Sequence, residues 1–173
     1  MWINDYLRNP APFGWLSETE KSMLSELDSM TKNDTVKQNK LYRAVSADVL
    51  LWNLNEDTWD ELLDAVYGWK KTTRVKNIFD KNIWKEIVEK AFLSTTTDKN
   101  IADDWWSFTD WIHEVTVEFE VPEGVKGKDL SAYDIEDDPQ KEVLLARGTK
   151  YEITDILPNE WEWGLLIKAK IKK

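Results

Sequence analysis

An α+β fold is predicted from the amino-acid sequence, with helices toward the N-terminus and antiparallel strands toward the C-terminus. Three observations carry this. Helical spacing of apolar residues recurs up to residue 91, as in Trp59, Leu62, Leu63 and Val66. Past residue 92 the period changes, and "WIHEVTVEFEV" (111–121) alternates strictly. Helices thus come first and strands last, an order that segregates the two rather than alternating them in βα units.

The elements follow in turn. Residues 1–16 hold two prolines and a glycine and read as an irregular lead. "SETE" (17–20) fits a capping box, with Ser17 at the N-cap and Glu20 three residues on, and Met23, Leu24, Leu27 and Met30 continue at helical spacing. "LYRAV" (41–45) is a short apolar run, read as a strand. Asp57 opens the helix of Trp59, and Gly68 closes it. Trp84, Ile87, Val88 and Ala91 repeat the helical spacing. "FLSTTT" (92–97) suits a strand and "DKNIADDWW" (98–106) a short helix. In 111–121, Val115, Val117, Phe119 and Val121 share one face, opposite Glu114, Thr116, Glu118 and Glu120. "EVLLA" (142–146), "KYEITDIL" (150–157) and "GLLIKAKIKK" (164–173) supply three more strands, with a turn at "PN" (158–159) and Leu165, Ile167, Ala169 and Ile171 facing inward.

A chain of 173 residues is most simply one domain with a sizeable core. Its 23 basic and 33 acidic residues leave a net charge of −10, against a nucleic-acid partner or an anionic membrane surface. A small anionic ligand is compatible with that charge, because exposed charges beyond about 8 Å are screened at physiological salt. There is no cysteine, so no disulfide, thiolate zinc site or cysteine nucleophile. The opening segment has no basic stretch followed by an apolar run, and no segment has the length of a membrane span. A cytoplasmic monomer without a signal peptide is the expectation. Of the eleven tryptophans most are expected in the core, but neighbours Trp105 and Trp106 cannot both face inward from one helix.

Several candidate sites fail on their chemistry. The acidic stretch "DIEDDPQKEVLL" (134–145) begins like a calcium loop but has Pro139 where glycine is needed and Leu145 where glutamate is needed. His113, the single histidine, falls on the apolar face of its strand and reads as a hydrogen-bonded core residue. Without cysteine and with one histidine, a metal site is not expected. Three polar features remain at strand positions: Arg43 between Tyr42 and Ala44, the row Ser94, Thr95 and Thr96, and Gln140 with Glu142 at a strand entrance. Strand alternation would put Gln140 and Glu142 on one face. Singly, each has a structural explanation: an arginine reaching out from a strand, a helix cap, a wet strand end.

Together and in this order, "LYRAVS", "FLSTTTDKNIADDW" and "QKEVLLARGTKYEI" resemble the Arg–Ser–Glu class of mono-ADP-ribosyltransferases, which includes the clostridial Rho-modifying exoenzymes and binary-toxin-like catalytic domains. The class has an aromatic-Arg strand, an apolar-Ser-Thr-Ser strand and a Gln/Glu-x-Glu motif leading into a further strand. The resemblance runs from about residue 40 to 157. It departs at Ala44, where glycine is common, at Thr96, where serine is, and at Asp137, where Rho-modifying members carry an aromatic; Tyr133 lies further off, so a Rho-type substrate is not implied.

The resemblance implies a two-sheet β core and a single catalytic domain over residues 1–173, in which 1–35 form an arm and helix and 36–173 the catalytic core. It implies NAD as co-substrate, no metal, and an unidentified target protein as acceptor, in the manner of a toxin-like effector. The catalytic residues would be Glu142, Gln140, Ser94 and Arg43. NAD would be held by Tyr42, Arg43, Ala44, Ser94, Thr95 and Thr96, with Trp105 or Trp106 over the nicotinamide. Within the class, a Gln at the position of Gln140 goes with acceptors other than arginine. Two alternatives stay open at this point: an NAD glycohydrolase, and a non-catalytic Trp-rich binding module.

Overall fold

The computed structural model describes residues 7, 16–46, 77–78, 80–81, 83–104, 114–134, 139–158 and 165–173. The helix expected around Trp59, together with Trp105, Trp106, His113 and Asp137, lies outside these residues.

Helix α1 (Glu18–Asn33) starts where the sequence places it. The Ser17 hydroxyl accepts from the Glu20 backbone N–H at 3.3 Å, and Glu20 Oε2 accepts from the Ser17 N–H at 2.7 Å, so two otherwise orphaned donors are satisfied reciprocally. The apolar stripe is less covered than its spacing suggests: Met23 is exposed, and Leu24 and Leu27 are half-buried. The helix is fixed instead by charge. Arg147 grips Asp28 with two donors, Nε to Oδ1 at 2.7 Å and Nη2 to Oδ2, while its guanidinium lies 5.8 Å from the centre of the Phe92 ring.

The described strands are β1 (Lys40–Ser46), β2 (Glu86–Val88), β3 (Leu93–Thr96), β4 (Glu114–Glu120), β5 (Gly127–Asp129), β6 (Glu142–Leu145), β7 (Lys150–Pro158) and β8 (Leu165–Ile171), with helix α2 (Lys99–Asp104) after β3 and a 3₁₀ turn at Ser131–Tyr133 after β5. They form a sheet in the order β2-β7-β8-β4-β1-β3-β6-β5. Every described pairing is antiparallel except β4 with β8. The expected β core is thus one continuous ladder of eight strands, narrowest between β1 and β3. β1 and β4 share seven register pairs, whereas β1 and β3 share one, Tyr42 with Thr96.

The core forms where the pleat sends apolar residues inward: Leu41 and Val45 from β1, Val115, Val117 and Phe119 from β4, Val143 and Leu145 from β6, and Ile167, Ala169 and Ile171 from β8. Phe119 meets Tyr151 edge to face, ring centres 5.2 Å apart. Thr116 departs from the sequence reading. It lies on the polar face of β4 yet is fully buried, because α2 brings Asp103 Oδ1 to within 2.8 Å of its hydroxyl.

One expected helix is a strand. Trp84 has φ +71° and is exposed, and Glu86–Val88 pairs with β7 as an edge strand. Ile87 is buried while Glu86 and Val88 are exposed, a period of two. The apolar residues at 84, 87, 88 and 91 match the helical period alone, but the β-branched Ile87 and Val88 suit the strand, and the strand leaves Trp84 and Val88 exposed. β5 was not anticipated either. Its outer edge is covered by the chain after α1: Val36 N–H donates to Val125 O at 2.9 Å, and Thr35 bridges Lys126.

Gly127 is where β5 approaches closest. A Cβ there would stand 2.8 Å from Leu144 O and 2.9 Å from Val36 Cγ2. Leu144 O is backbone and cannot retreat without parting β5 from β6. Gly127→Ala is therefore expected to cost about 1–3 kcal/mol and lower Tm by several degrees in a thermal melt. An unchanged Tm would contradict this close contact.

Asp28 supplies a second test. Its hydrogen bond from Arg147 holds its carboxyl below the ordinary value of 3.8. A depressed carboxylate contributes stability at pH values above its unfolded pKa, and that contribution is lost as pH falls through the folded value. Asp28→Asn is expected to lose about 1–2 kcal/mol at pH 7 and to show a shallower decline of stability from pH 5 to pH 2 than wild type, read by urea unfolding at each pH.

Candidate active site

The site is built on β3 and β6. Their register pairs Ser94 with Leu144 and Thr96 with Glu142, so the pleat puts Ser94, Thr96 and Glu142 on one face and Leu93, Thr95, Val143 and Leu145 on the core face. Glu142 opens β6, where the strand meets solvent and the residue is half-buried. Ser94 Oγ donates to Glu142 Oε1 at 2.6 Å, a length typical of a hydroxyl on a carboxylate. One carboxylate oxygen is thus tied down and the other keeps its capacity to accept.

The two threonines hold the strand that carries Glu142. Thr95, fully buried, donates to Val143 O at 2.6 Å, and Thr96 donates to Gln140 O at 2.9 Å while accepting from the Asp98 N–H at 3.2 Å. Both hydroxyls are directed at backbone and brace the strand that carries Glu142.

The register continues from Thr96 to Tyr42. Glu142, Thr96 and Tyr42 therefore lie in one row across β6, β3 and β1, with about 10 Å between the outer two Cα atoms. Arg43, next along β1, is half-buried and alternates to the face of Leu41 and Val45, while Tyr42 and Ala44 lie on the other face. The structure thus joins Ser94, Thr96 and Glu142 directly and places Arg43 on the adjoining strand. The Arg43 guanidinium takes part in other interactions, but its Nη1 is buried and donates to no protein acceptor. A planar cation with such a donor suits phosphate oxygens, so the residues present fit a dinucleotide carrying a pyrophosphate.

Gln140 does not enter by strand alternation. β6 begins at Glu142, and Lys141 has φ +48°, a left-handed conformation that costs a residue with a Cβ about 1 kcal/mol or more. Three bonds hold it there. Its N–H donates to Asp134 Oδ2 at 2.8 Å, its carbonyl accepts from the Thr97 N–H at 3.2 Å, and its ammonium meets Asp98 Oδ2 at 2.8 Å. The Lys141 ammonium is the leading reason that the Asp98 carboxyl sits below its ordinary value. Asp98, Asp134 and Lys141 were not found by sequence reasoning. No motif marks them, and the conformation that links them is a property of the backbone.

A Ser-tethered carboxylate at a strand head, with an arginine donor on a strand nearby, suits a transferase that acts on a phosphate-bearing sugar nucleotide. The sequence profile described as ADP-ribosyltransferase exoenzyme matches residues 1–173, and the chain belongs to that family. It is accordingly an NAD-dependent ADP-ribosyltransferase that modifies protein, with NAD as co-substrate. Among solved structures it is similar to a C3-type ADP-ribosyltransferase from Clostridium botulinum, with TM-score 0.70 and 21% identity over 99% of this chain and 80% of that one. It is also similar to the C3larvin toxin from Paenibacillus larvae, with TM-score 0.67 and 19% identity over 99% and 80% of the two chains. C3stau2 from S. aureus, solved with NAD, gives TM-score 0.67 and 20% identity over 99% and 84%. At these identities the likeness speaks for the fold. Among curated proteins, no sequence matches.

Proposed function

We propose that the acceptor is a protein side chain other than arginine, and that Glu142, Gln140, Ser94 and Arg43 carry the reaction. The observation that supports this most is the 2.6 Å hydrogen bond from Ser94 to Glu142, which presents a fixed carboxylate at the open end of β6. NAD supplies a leaving group whose positive charge disappears on departure, so no general acid is needed, unlike in ordinary glycoside hydrolysis. Glu142 then has two tasks: accepting a hydrogen bond from a ribose hydroxyl and stabilising the positive charge that develops at the sugar. Ser94 keeps its carboxylate in one orientation. Arg43 holds the phosphates.

Gln140 faces the acceptor. An amide orients a nucleophile by hydrogen bonding but does not take up a proton as a carboxylate does. A guanidinium must lose a proton to attack and is poorly served by it. Incubating the protein with biotin-labelled NAD and cell lysate, then identifying the modified residue by mass spectrometry, tests this reading. Agmatine, a small guanidinium acceptor, is included as a competitor. Label on a non-arginine side chain, with agmatine unmodified, is the expected result. Labelled agmatine or arginine would overturn the acceptor assignment, and nicotinamide release without any labelled protein would favour water as acceptor.

A further inference from the structure

The chain carries a net charge of −10, yet one of its cavities is walled by cations. The cavity has a volume of about 490 Å³ and lies where four segments meet: the last turn of α1, the loop before β5, the turn from β6 to β7, and the end of β8. Half of its twelve lining residues are basic (Lys32, Lys126, Arg147, Lys150, Lys172 and Lys173), and none is acidic. Val125, Ala146 and Ile171, all buried, contribute apolar surface. We propose that this cavity docks an acidic, partly apolar segment of the protein that is to be modified, as a binding site separate from that of NAD. The inference rests on the protein acceptor of the function proposed above.

Positive charge is in surplus there. Arg147 and Lys32 share one carboxylate, Asp28, which Lys32 meets at 3.4 Å. Lys150 meets Glu86 at 3.3 Å, and Lys172 meets Glu152 at 2.5 Å. Lys126 and Lys173, both exposed, form no ion pair among the described residues. Six cations thus meet three carboxylates. Exposed charges beyond about 8 Å are screened at physiological salt, so the acidic remainder of the surface does not cancel this local excess. An anion entering the cavity relieves the mutual repulsion of its walls.

The donors decide which anion fits. A compact phosphate is best held by a guanidinium fork or by several unspent backbone N–H groups. Here the fork is taken by Asp28, and the turn is bonded within the protein: the Gly148 N–H donates to Glu89 O at 2.8 Å and the Thr149 N–H to Ala146 O at 3.3 Å. What remains is lysine, a point charge on a flexible stem, supplied from separate segments. Carboxylates spread along a peptide match that arrangement, and an apolar side chain between them covers Val125, Ala146 and Ile171. A nucleic acid or an anionic membrane would bring a long array of negative charge against the acidic surface around the cavity. Ala146 lies four residues beyond Glu142, about 13 Å along the strand direction, so an extended segment of a few residues spans the distance from the catalytic carboxylate to the cavity.

The test pairs a fluorescein-labelled peptide of alternating glutamate and leucine with the double variant Lys126→Glu, Lys173→Glu, which breaks none of the ion pairs above; a thermal melt verifies its fold. By fluorescence anisotropy, wild type is expected to bind the peptide saturably, the double variant at least about tenfold more weakly, and a glutamine-for-glutamate peptide is expected not to bind wild type. Inorganic phosphate and phosphatidylserine vesicles are titrated as competitors. With biotin-labelled NAD and cell lysate, excess glutamate peptide and the double substitution are each expected to lower protein labelling at least about fivefold, while nicotinamide released without lysate stays within about twofold of wild type. A glutamate peptide that does not bind wild type, binds the variant equally, or is displaced by phosphate or vesicles overturns the inference and leaves the proposed function standing. Protein labelling unchanged by both peptide and substitution does the same. A wild-type chain that releases nicotinamide but labels no protein overturns the proposed function, and this inference with it.

Discussion

Glu142→Gln is expected to slow nicotinamide release by at least about 100-fold, with NAD binding little changed. The substitution keeps the size of the side chain and an acceptor for the Ser94 hydroxyl. It removes the negative charge that opposes the positive charge developing on the sugar. An interaction realised mainly in the transition state is lost from kcat rather than from binding, so kcat and kcat/KM should fall together. Steady-state kinetics of nicotinamide release, with a thermal melt to verify folding, make the check. A loss below about tenfold would remove Glu142 from the reaction and leave its bond to Ser94 as a feature of strand pairing.

Arg43→Ala is expected to act in the opposite pattern, weakening NAD binding by about 10- to 100-fold with a smaller effect on kcat. The factor corresponds to one or two charge-assisted hydrogen bonds to phosphate oxygens. Arg43→Lys separates charge from shape: a lysine restores a point charge but not the planar pair of donors, so it should recover only part of the affinity. Titration calorimetry with NAD reads both variants. NAD affinity unchanged in Arg43→Ala would place the phosphates elsewhere and make Arg43 a structural residue of β1.

The parts of this molecule legible in its sequence are those where side-chain chemistry repeats along the chain. The alternation of Val115, Val117 and Phe119 marks β4, and Ser17 with Glu20 marks the start of α1. The triplet Arg43, Ser94 and Glu142 was legible as a pattern of motifs, and β3 and β6 bring two of the three into direct contact. What escaped depends on the backbone or on distant partners. The segment 84–91 has helical spacing, and pairing with β7 overrides it. β5 is three residues long, begins at a glycine and has no hydrophobic period. Gln140 and Glu142 were expected to share a face by alternation, a rule that holds only while every intervening residue is extended, and Lys141 is not. Thr116 reads as surface until Asp103 arrives from α2.

The position of β8 has a consequence for how the protein is made. β8 lies between β7 and β4, so the seven earlier described strands fall into two groups, β2 with β7 and the five from β4 to β5, that touch edge to edge only through it. β8 is the last of these strands to be made, and until residues 165–171 are free to pair, each group presents an open edge to its surroundings. The sheet closes only when β8 arrives between them. A ribosome that stalls before residue 165 therefore releases two unjoined half-sheets, a natural substrate for chaperones and proteases.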